Sequence, residues 1–229
     1  MKAKLINYSR PVKVDPIDTK DEVINLISYC ARVSAPNNQE DYSTGRKLID
    51  YLIKHKHWSP LEMVSVCLEI ETTRDIARQM LRHRSFSFQE YSQRYADPTV
   101  DLEFVHREAR LQDYKNRQNS LENDDIQLDQ EWQAKQSRVI EAARDAYKWA
   151  IDNGIAKEQA RVVLPEGNTV SRLYMHGTLR SWVHYIELRG AHGTQKEHMD
   201  IARECAKVIC EIFPMQGHTL SPEYRYGQK

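Results

Sequence analysis

The chain has 229 residues, 40% of them hydrophobic and 29% charged, a composition typical of a globular protein with one sizeable core. Its 33 basic and 33 acidic side chains cancel, which argues against a generally basic nucleic-acid surface and confines any anion site to a local cluster. No segment has the apolar length of a membrane span or a secretory leader. We therefore expect one cytoplasmic domain over residues 1–229, with no nucleic-acid or membrane partner.

The first half of the chain mixes strand and helix patterns. A short strand, broken by Pro11, is predicted within residues 2–14. Apolar residues at helical spacing predict helices over residues 20–33, 44–56 and 73–83. Between the last two helices the sequence MVSVCLEI alternates, as a strand does, and places on one face the side chains of Val64, Val66, Leu68 and Ile70.

The second half opens with a polar stretch, residues 97–129, which predicts an excursion loop or a partly disordered flap, with one possible strand at 102–106. A long amphipathic helix follows over 132–151, and its predicted buried side carries Val139, Ala143, Ala146, Tyr147 and Ala150. Further apolar patterns predict a helix at 157–164, a strand at 170–176, a helix at 178–189 with Thr178 as its N-cap, and a helix at 195–212. Because no regular βαβ rhythm is present, we expect an α+β fold with a central sheet.

The most unusual stretch is RHRSFSFQEYSQRY, residues 82–95. It contains a single acidic residue, Glu90, and four basic ones: Arg82, His83, Arg84 and Arg94. If residues 88–94 are extended, Glu90, Ser92 and Arg94 point to the same side. Guanidinium groups bind phosphate oxygens through two parallel hydrogen bonds, and serine hydroxyls can complete such a site. The stretch therefore predicts a nucleotide or other phosphate site, while Phe86 and Phe88 are expected in the core or an interface.

Other kinds of site find less support in the sequence. Arginine clusters also occur in RNA-binding modules, but the chain has no basic stripe, RNP-like motif or glycine-rich clamp. The patterns GxSxG, GxxxxGK[ST], GxGxxG and HExxH are absent, and the nine histidines lack metal-ligand spacing, so no metal site is expected. The four cysteines form no CxxC pair and are expected to be buried free thiols: Cys30, Cys67, Cys205 and Cys210.

The motif resembles the signature RHRxxSxNExSxRY of the flavin-dependent thymidylate synthases, with Gln89 in the asparagine position. Further segments match that family in order along most of the chain: ARVS at 31–34, HxHxSPxE at 55–62, ARxVLP at 160–165 and RSWVHYIELR at 180–189. The resemblance implies methylation of dUMP to dTMP, with methylenetetrahydrofolate giving the carbon and FAD, reduced by NADPH, giving the hydride. It also implies an α+β fold with a mostly antiparallel central sheet, in a homotetramer whose active sites lie between subunits.

Family roles can be transferred to the matching positions of this chain. The resemblance implies contacts with dUMP for Gln79, Arg82, Glu90, Tyr91, Ser92, Gln93, Arg94, Arg161 and Arg189. It implies contacts with FAD for Ser59, Arg82, His83, Arg84, Glu90, Thr178, Leu179, Arg180 and His184. Thr178 and His184 stand where the family usually has asparagines, and both keep hydrogen-bonding capacity. Arg180 and His184 are four residues apart and therefore share one face of the predicted helix.

Arg189 is the expected catalytic residue, because the matching arginine of the family favours the N3-ionised form of uracil. A fixed positive charge in a site with little water stabilises such an anion. Read without the resemblance, Arg189 is an arginine at a helix C-terminus, where it would interact with the helix dipole. The classical thymidylate synthases need a cysteine nucleophile, and none of the four cysteines has the setting of an activated thiolate.

Two alternatives to the thymidylate synthase remain open from the residues. A phosphate- or RNA-binding module without catalysis would bind oligonucleotides in a salt-sensitive way and would not prefer dUMP over generic phosphates. Another flavoenzyme on the same scaffold would bind FAD but use a different acceptor. Titration with dUMP, followed by the flavin absorption band, separates these possibilities.

Overall fold

The computed structural model describes residues 1–12 and 21–214. Its strands are β1 (Lys2–Tyr8), β2 (Ser65–Thr73), β3 (Ser87–Glu90), β4 (Leu111–Gln112), β5 (Ser120–Leu121) and β6 (Val170–Thr178). Its α-helices are α1 (Glu22–Ala31), α2 (Gly45–Lys54), α3 (Arg74–Met80), α4 (Pro98–Asp101), α5 (Ile126–Asp152), α6 (Lys157–Ala160), α7 (Leu179–Arg189) and α8 (Lys196–Cys210). Residues 13, 14 and 20, included in the predicted first strand and helix, lie outside the described residues.

The main sheet has four strands in the order β1-β2-β6-β3, and every neighbouring pair is antiparallel. The longest pairing joins β2 to β6, with Ser65 opposite Thr178 at one end and Thr73 opposite Val170 at the other. Strand β3 lies at one edge, where it pairs with only four residues of β6. The predicted α+β class with an antiparallel central sheet is confirmed.

The two faces of this sheet differ in polarity, as the alternation of β2 predicts. Val64, Val66, Leu68 and Ile70 are all fully buried on one face. On the other face Arg172 donates from Nε to Glu71 Oε1 at 2.8 Å, and the Tyr174 hydroxyl donates to Glu69 at 2.8 Å. These cross-strand polar pairs follow the register, in which Glu71 lies opposite Arg172 and Glu69 opposite Tyr174.

Helices cover the apolar face and form the core with it. The fully buried side chains of these helices include Ile24 and Ile27 of α1, Ile49 of α2, Trp182, Val183 and Ile186 of α7, and Ile201, Cys205 and Ile209 of α8. The α7 helix starts as predicted, because the Thr178 Oγ1 accepts a hydrogen bond from the Ser181 amide at 3.3 Å. None of the helices in the described ranges is long and apolar enough to cross a membrane.

The long helix α5 corrects the predicted buried side. Ala143, Tyr147 and Ala150 are buried as expected, but Val139 is 53% exposed and Ala146 is also exposed. The apolar residues of this helix form two stripes, and the inner stripe also contains Gln136 and Ile140. Helical spacing alone does not show which of two adjacent apolar stripes faces the core of the same chain.

The polar stretch before α5 carries little regular structure. The possible strand at 102–106 is a single bridge between Phe104 and Thr169. The short strands β4 and β5 form a separate hairpin, and α5 begins at Ile126, six residues before the predicted start. Asp125 explains the early start, since its side chain accepts a hydrogen bond from the Leu128 amide and caps the helix.

Candidate functional site

The motif 82–95 runs from the end of α3 through a turn into β3 and then into a second turn. Extended structure stops at Glu90, because the Tyr95 and Ala96 amides both donate to the Ser92 carbonyl at 3.1 Å and close a turn. The prediction of one extended row holding Glu90, Ser92 and Arg94 is therefore wrong. Instead the motif presents three short groups of polar residues, one before the strand, one at its end and one in the second turn.

Phe86 anchors the motif to the core. Its ring is buried, with the ring centroids of Trp182 and Tyr185 at 4.9 and 5.9 Å. A Cβ atom on Gly177 of β6 would lie 2.5 Å from Phe86 Cδ1, so this ring fits only against a residue without a side chain. Phe88 also packs against the core, which confirms the expectation for both aromatic residues.

Arg82 and Arg84 are exposed in the turn between α3 and β3. Within residues 1–12 and 21–214 neither of them forms an ion pair with a carboxylate. Two guanidinium groups in one turn without a counter-ion create a local positive potential in a chain of zero net charge. This turn can therefore bind an anionic ligand without first breaking an ion pair.

The predicted catalytic Arg189 meets the motif at His83. It is the last residue of α7, and its Nε lies 3.0 Å from Nε2 of His83, 106 positions away in the sequence. Burial, and then the positive charge of Arg189, lower the pKa of His83. A neutral His83 can accept the Arg189 Nε–H, and this contact fixes the plane of the guanidinium group while its two Nη groups stay available.

Gln79 lies in a buried hydrogen-bond network that the sequence analysis did not predict. Its Oε1 is 3.1 Å from Nδ1 of His198, and its Nε2 donates to Gln195 Oε1 at 2.8 Å. His198 is fully buried, and its Nε2 is 3.2 Å from the Tyr185 hydroxyl. The sequence signal was the position of His198 on the apolar stripe of α8, three residues before Ile201.

Glu90 ends β3 beside a second unpredicted residue, Arg74. Glu90 Oε1 accepts a hydrogen bond from the Ser171 hydroxyl at 2.8 Å and lies 3.6 Å from Arg74 Nη1. Arg74 also lies 3.6 Å from Glu166, and burial lowers its pKa. Its Nη1 is buried and has no hydrogen-bond partner among the residues that the structure describes. Arg74 thus holds the Glu90 carboxylate from the protein side.

The second turn brings Arg94 and Arg161 to the same glutamate. Arg94 Nε lies 3.4 Å from a Glu158 carboxylate oxygen, and Arg161 Nε lies 3.3 Å from the Glu158 backbone carbonyl. Ser92 is partly exposed in the same turn. Because the Arg94–Glu158 pair is half exposed, it contributes little free energy and an incoming anion can replace it.

Tyr91 and Gln93 lie deeper than their neighbours. The Tyr91 hydroxyl donates to Asp101 at 2.7 Å, and burial together with this carboxylate raises the pKa of Tyr91 well above its ordinary value. Gln93 is buried. Both side chains therefore pack beneath the turn and support its conformation.

The remaining predicted site residues gather at the start of α7. Arg180 pairs with Glu62, and the His184 ring packs edge-on against Trp58 with a centroid distance of 4.5 Å. Trp58 and Glu62 come from the same segment as Ser59, which is exposed at the start of a 3₁₀ turn. The sequence analysis did not single out Trp58 or Glu62.

The start of α7 also touches the motif. The Ser181 hydroxyl donates to the Ser85 carbonyl at 3.3 Å, so the turn after α3 and the first turn of α7 are adjacent. Leu179, in contrast, has a buried side chain, and its amide donates to the Val64 carbonyl at 2.9 Å. Leu179 therefore offers a ligand neither its side chain nor its amide. No hydrogen bond among the described residues joins Ser59 directly to the motif.

The cysteines are free thiols, and Cys67, Cys205 and Cys210 are buried as expected, whereas Cys30 is only partly buried, so the expectation is wrong for Cys30. Burial raises the pKa of Cys30 and Cys67, raises that of Cys210 to about 11, and raises that of Cys205 further still. The prediction that these thiols are not activated is confirmed. In the described ranges no three metal-binding side chains lie close enough together to hold an ion.

Comparison with known proteins finds relatives along nearly the whole chain. The family described as "Thymidylate synthase complementing protein" matches residues 17–215. A "Probable flavin-dependent thymidylate synthase" of Paramecium bursaria Chlorella virus 1 is 47% identical, over 93% of this chain and 96% of its own length. The "Flavin-dependent thymidylate synthase" of Synechocystis sp. is 46% identical with the same coverage. This chain belongs to the flavin-dependent thymidylate synthase family.

A solved structure shares the fold of this family member. The crystal structure of a UMP/dUMP methylase from Streptomyces cacaoi bound with 5-Br UMP has a TM-score of 0.75 and 25% sequence identity, and the match covers 92% of this chain and 89% of the other. A second structure of that methylase, bound with 5-Br dUMP, matches with a TM-score of 0.71. The fold of that methylase therefore covers nearly all of this chain.

Proposed function

We propose that this chain is a flavin-dependent thymidylate synthase that methylates dUMP to dTMP. Methylenetetrahydrofolate gives the carbon, and FAD, reduced by NADPH, gives the hydride. The contact between Arg189 and His83 carries the proposal, because it joins the expected catalytic residue to the motif expected to bind both ligands. Membership of the family along residues 17–215 supports the reaction.

The residues present fit an anionic dinucleotide such as FAD. Arg82 and Arg84 are exposed and lack a carboxylate partner in the described chain, which suits them to a pyrophosphate. Arg180 and His184 face outward from the start of α7, next to Ser59 and Thr178, and supply further polar contacts. Bound FAD would supply the electrons for reduction, and these residues would hold and orient it.

The phosphate of dUMP is assigned to the second turn of the motif. Ser92, Arg94 and Arg161 offer one hydroxyl and two guanidinium groups there, and the half-exposed Glu158 is their present partner. Glu90 is held by Ser171 and Arg74 at the end of β3, where its carboxylate can accept a hydrogen bond from the sugar or the base. We assign Gln79, Tyr91 and Gln93 to the same nucleotide.

Arg189 is assigned to the chemical step. Its Nε is engaged by His83, so its Nη groups can donate to a uracil ring that lies against them. A guanidinium group fixed in this way stabilises the N3-ionised ring more than the neutral one, which makes C5 a better nucleophile. No cysteine is needed in this scheme, in agreement with the raised pKa values of the buried thiols.

The absorption spectrum of the purified protein, with and without dUMP, tests this function. We expect a yellow protein whose flavin band changes with dUMP, and dTMP formation only when the folate donor and NADPH are both present. UMP is the matched comparison substrate, since a structural relative is a UMP/dUMP methylase. A colourless protein that cannot take up FAD contradicts the proposal, whereas FAD binding with no response to dUMP would favour a flavoenzyme with another acceptor.

We also propose that the enzyme is a cytoplasmic homotetramer of single-domain subunits. The outer side of α5 supports the assembly, because it carries large exposed side chains. Helical spacing places Leu128, Trp132 and Val139 on one face, and Trp149 is exposed nearer the end of the helix. Trp132, Val139 and Trp149 are 45%, 53% and 63% exposed in the isolated subunit. Exposed tryptophans beside other apolar side chains on an outer helix face are typical of a subunit interface.

Sedimentation velocity tests the role of this outer side of α5. The double variant Val139→Glu with Trp149→Glu should sediment as a smaller species, because two buried carboxylates at an apolar interface lack partners. Ala134→Glu is the control, since Ala134 is exposed on the same helix but lies off the face that carries Trp132 and Val139. A double variant that sediments like the wild type would place the interface elsewhere.

A further inference from the structure

His198 lies in the core of the chain but contacts a residue assigned to the substrate site. Its side chain is fully buried between α8, α7 and the end of α3. Its two ring nitrogens have different partners, Gln79 through Nδ1 and the Tyr185 hydroxyl through Nε2. Gln79 in turn contacts Gln195, which contacts Glu197. Five side chains thus form one continuous chain of hydrogen bonds.

The direction of every hydrogen bond in this chain follows from one end. The Glu197 carboxylate can only accept, so Gln195 donates its Nε2–H at 2.9 Å and turns its Oε1 toward Gln79. Gln79 must then donate from Nε2 at 2.8 Å, which turns its own Oε1 toward His198. His198 therefore carries its proton on Nδ1, and its Nε2 accepts from the Tyr185 hydroxyl.

Both ends of the chain are fixed by their surroundings. Gln195 and Glu197 line an open cavity of ≈ 590 Å³, where solvent reaches the carboxylate. At the other end the Tyr185 hydroxyl is buried, so it needs a partner and finds it in His198. Reversing the Gln79 amide would place its oxygen against that of Gln195 and its N–H₂ against the His198 N–H. One orientation is thus strongly preferred.

In this orientation the group of Gln79 that remains free for a ligand is one N–H donor. Its Oε1 is occupied by His198, and one of its two N–H groups is occupied by Gln195. The second N–H has no hydrogen-bond acceptor in the described part of the chain. Gln79 therefore offers a ligand a free N–H donor, while its oxygen is turned toward His198.

We propose that His198 is a positioning residue that locks the Gln79 amide as a donor and thereby makes the site select uracil over cytosine. The proposal rests on the proposed function, which assigns Gln79 to dUMP and Arg189 to its uracil ring. We place the Gln79 amide at that ring because its partner His198 has its ring centroid 6.3 Å from that of His83, the partner of Arg189. Uracil presents a carbonyl oxygen at the ring position where cytosine carries an amino group. A fixed N–H donor binds that oxygen, while an amino group would set donor against donor and lose the hydrogen bond.

Isothermal titration of dUMP and dCMP into the FAD-loaded enzyme tests this inference. The wild type should bind dUMP in preference to dCMP. In H198L the Gln79 oxygen loses its donor and only Gln195 still holds the amide, so the amide can turn away from the ring and the preference should fall by about tenfold. In H198N the side-chain N–H₂ takes the place of Nδ1–H, and the preference should return to the wild-type value.

Two further variants distinguish an effect on the orientation of Gln79 from a general loss of core packing. Y185F removes a buried hydrogen bond of His198 but leaves the His198–Gln79 contact, so its selectivity should remain that of the wild type. E197Q loosens the other end of the chain, and the double variant H198L/E197Q should lose more selectivity than either single variant. An equal loss of selectivity in Y185F and H198L would overturn the proposal, because it would show that the loss reflects the core and not Gln79.

A measurement on the wild type keeps the proposal testable if H198L does not fold. The spectrum of the enzyme labelled with ¹⁵N-histidine, assigned by difference with H198N, should show His198 protonated on Nδ1 only. A proton on Nε2 would overturn the inference. A wild type that forms dTMP but binds dUMP and dCMP alike would overturn the inference alone, whereas one that does not bind dUMP would overturn the proposed function with it.

Discussion

Arg189 illustrates how a single hydrogen bond can decide the orientation of a side chain in the proposed site. An arginine at a helix C-terminus ordinarily points into solvent, where its charge interacts favourably with the helix dipole and its orientation is not fixed. Here its Nε is held by His83 at 3.0 Å, and His83 is itself half buried against the Tyr185 ring. The charge is thus fixed in place and direction before any ligand arrives, as electrostatic stabilisation of an anion requires.

Arg189→Lys tests whether direction matters in addition to charge. Lysine keeps the positive charge but lacks the planar fork and the Nε–H that His83 accepts. We expect turnover with dUMP to fall by about 100-fold or more, with the flavin band and the unfolding midpoint close to those of the wild type. Steady-state kinetics and the absorption spectrum measure both. Arg189→Ala should be inactive, and full activity in the alanine variant would contradict the assignment of Arg189.

At the scale of elements, patterns that depend on one segment predicted the structure well. The alternation of β2 gave its buried face correctly, and Thr178 gave the start of α7. Patterns whose outcome depends on a partner that is distant in the sequence predicted the structure poorly. Glu90 ends β3 because the chain turns at Ser92, and Val139 faces outward because the inner stripe of α5 meets the rest of the chain.

The contact between β6 and the motif gives a prediction at this scale. In Gly177→Ala the new Cβ would lie 2.5 Å from Phe86 Cδ1, so the ring must shift and the RHR turn with it. We expect a loss of about 1–3 kcal/mol in the free energy of unfolding, measured by urea denaturation, together with weaker FAD binding. Phe86→Leu in the same chain should recover part of the stability by removing the clashing ring.

Gly167→Ala is the matched control for this substitution. No atom lies within 4 Å of a Cβ built on Gly167, so its unfolding free energy should change little. If Gly177→Ala were as stable as Gly167→Ala, the ring of Phe86 would not be the anchor of the motif.

At the scale of the whole molecule, the residue types of the site could be read from the sequence but their grouping could not. The motif and the family resemblance named Gln79, Glu90 and Arg189, whose family roles stay predictions. Their supporting partners His198 and Arg74 come from positions without a motif, since a histidine on an apolar stripe or an arginine after a strand has many ordinary explanations. Long-range packing alone shows that they are buried against site residues.

This burial of histidines makes the stability of the molecule depend on pH. Burial, and then the charges of Arg189 and His83, lower the pKa of His198 from 6.5 to about 3. His83 is shifted in the same direction. Between pH 6.5 and pH ~3, the two pKa values of His198, the unfolded chain therefore binds more protons than the folded one. The folded state loses stability as the pH falls below about 6.5.

We expect His198 alone to cost about 1.4 kcal/mol for each pH unit below about 6.5, or about 2 kcal/mol at pH ~5. Urea unfolding at fixed protein concentration, at pH ~7 and pH ~5, measures this, because assembly would otherwise change the apparent stability. His198→Asn removes the titrating ring but keeps the donor to Gln79. The plot of its unfolding free energy against pH should therefore be less steep, by the about 1.4 kcal/mol per pH unit that one proton contributes. Equal slopes in the two proteins would contradict the neutral His198, protonated on Nδ1 only, that we infer from the chain of hydrogen bonds.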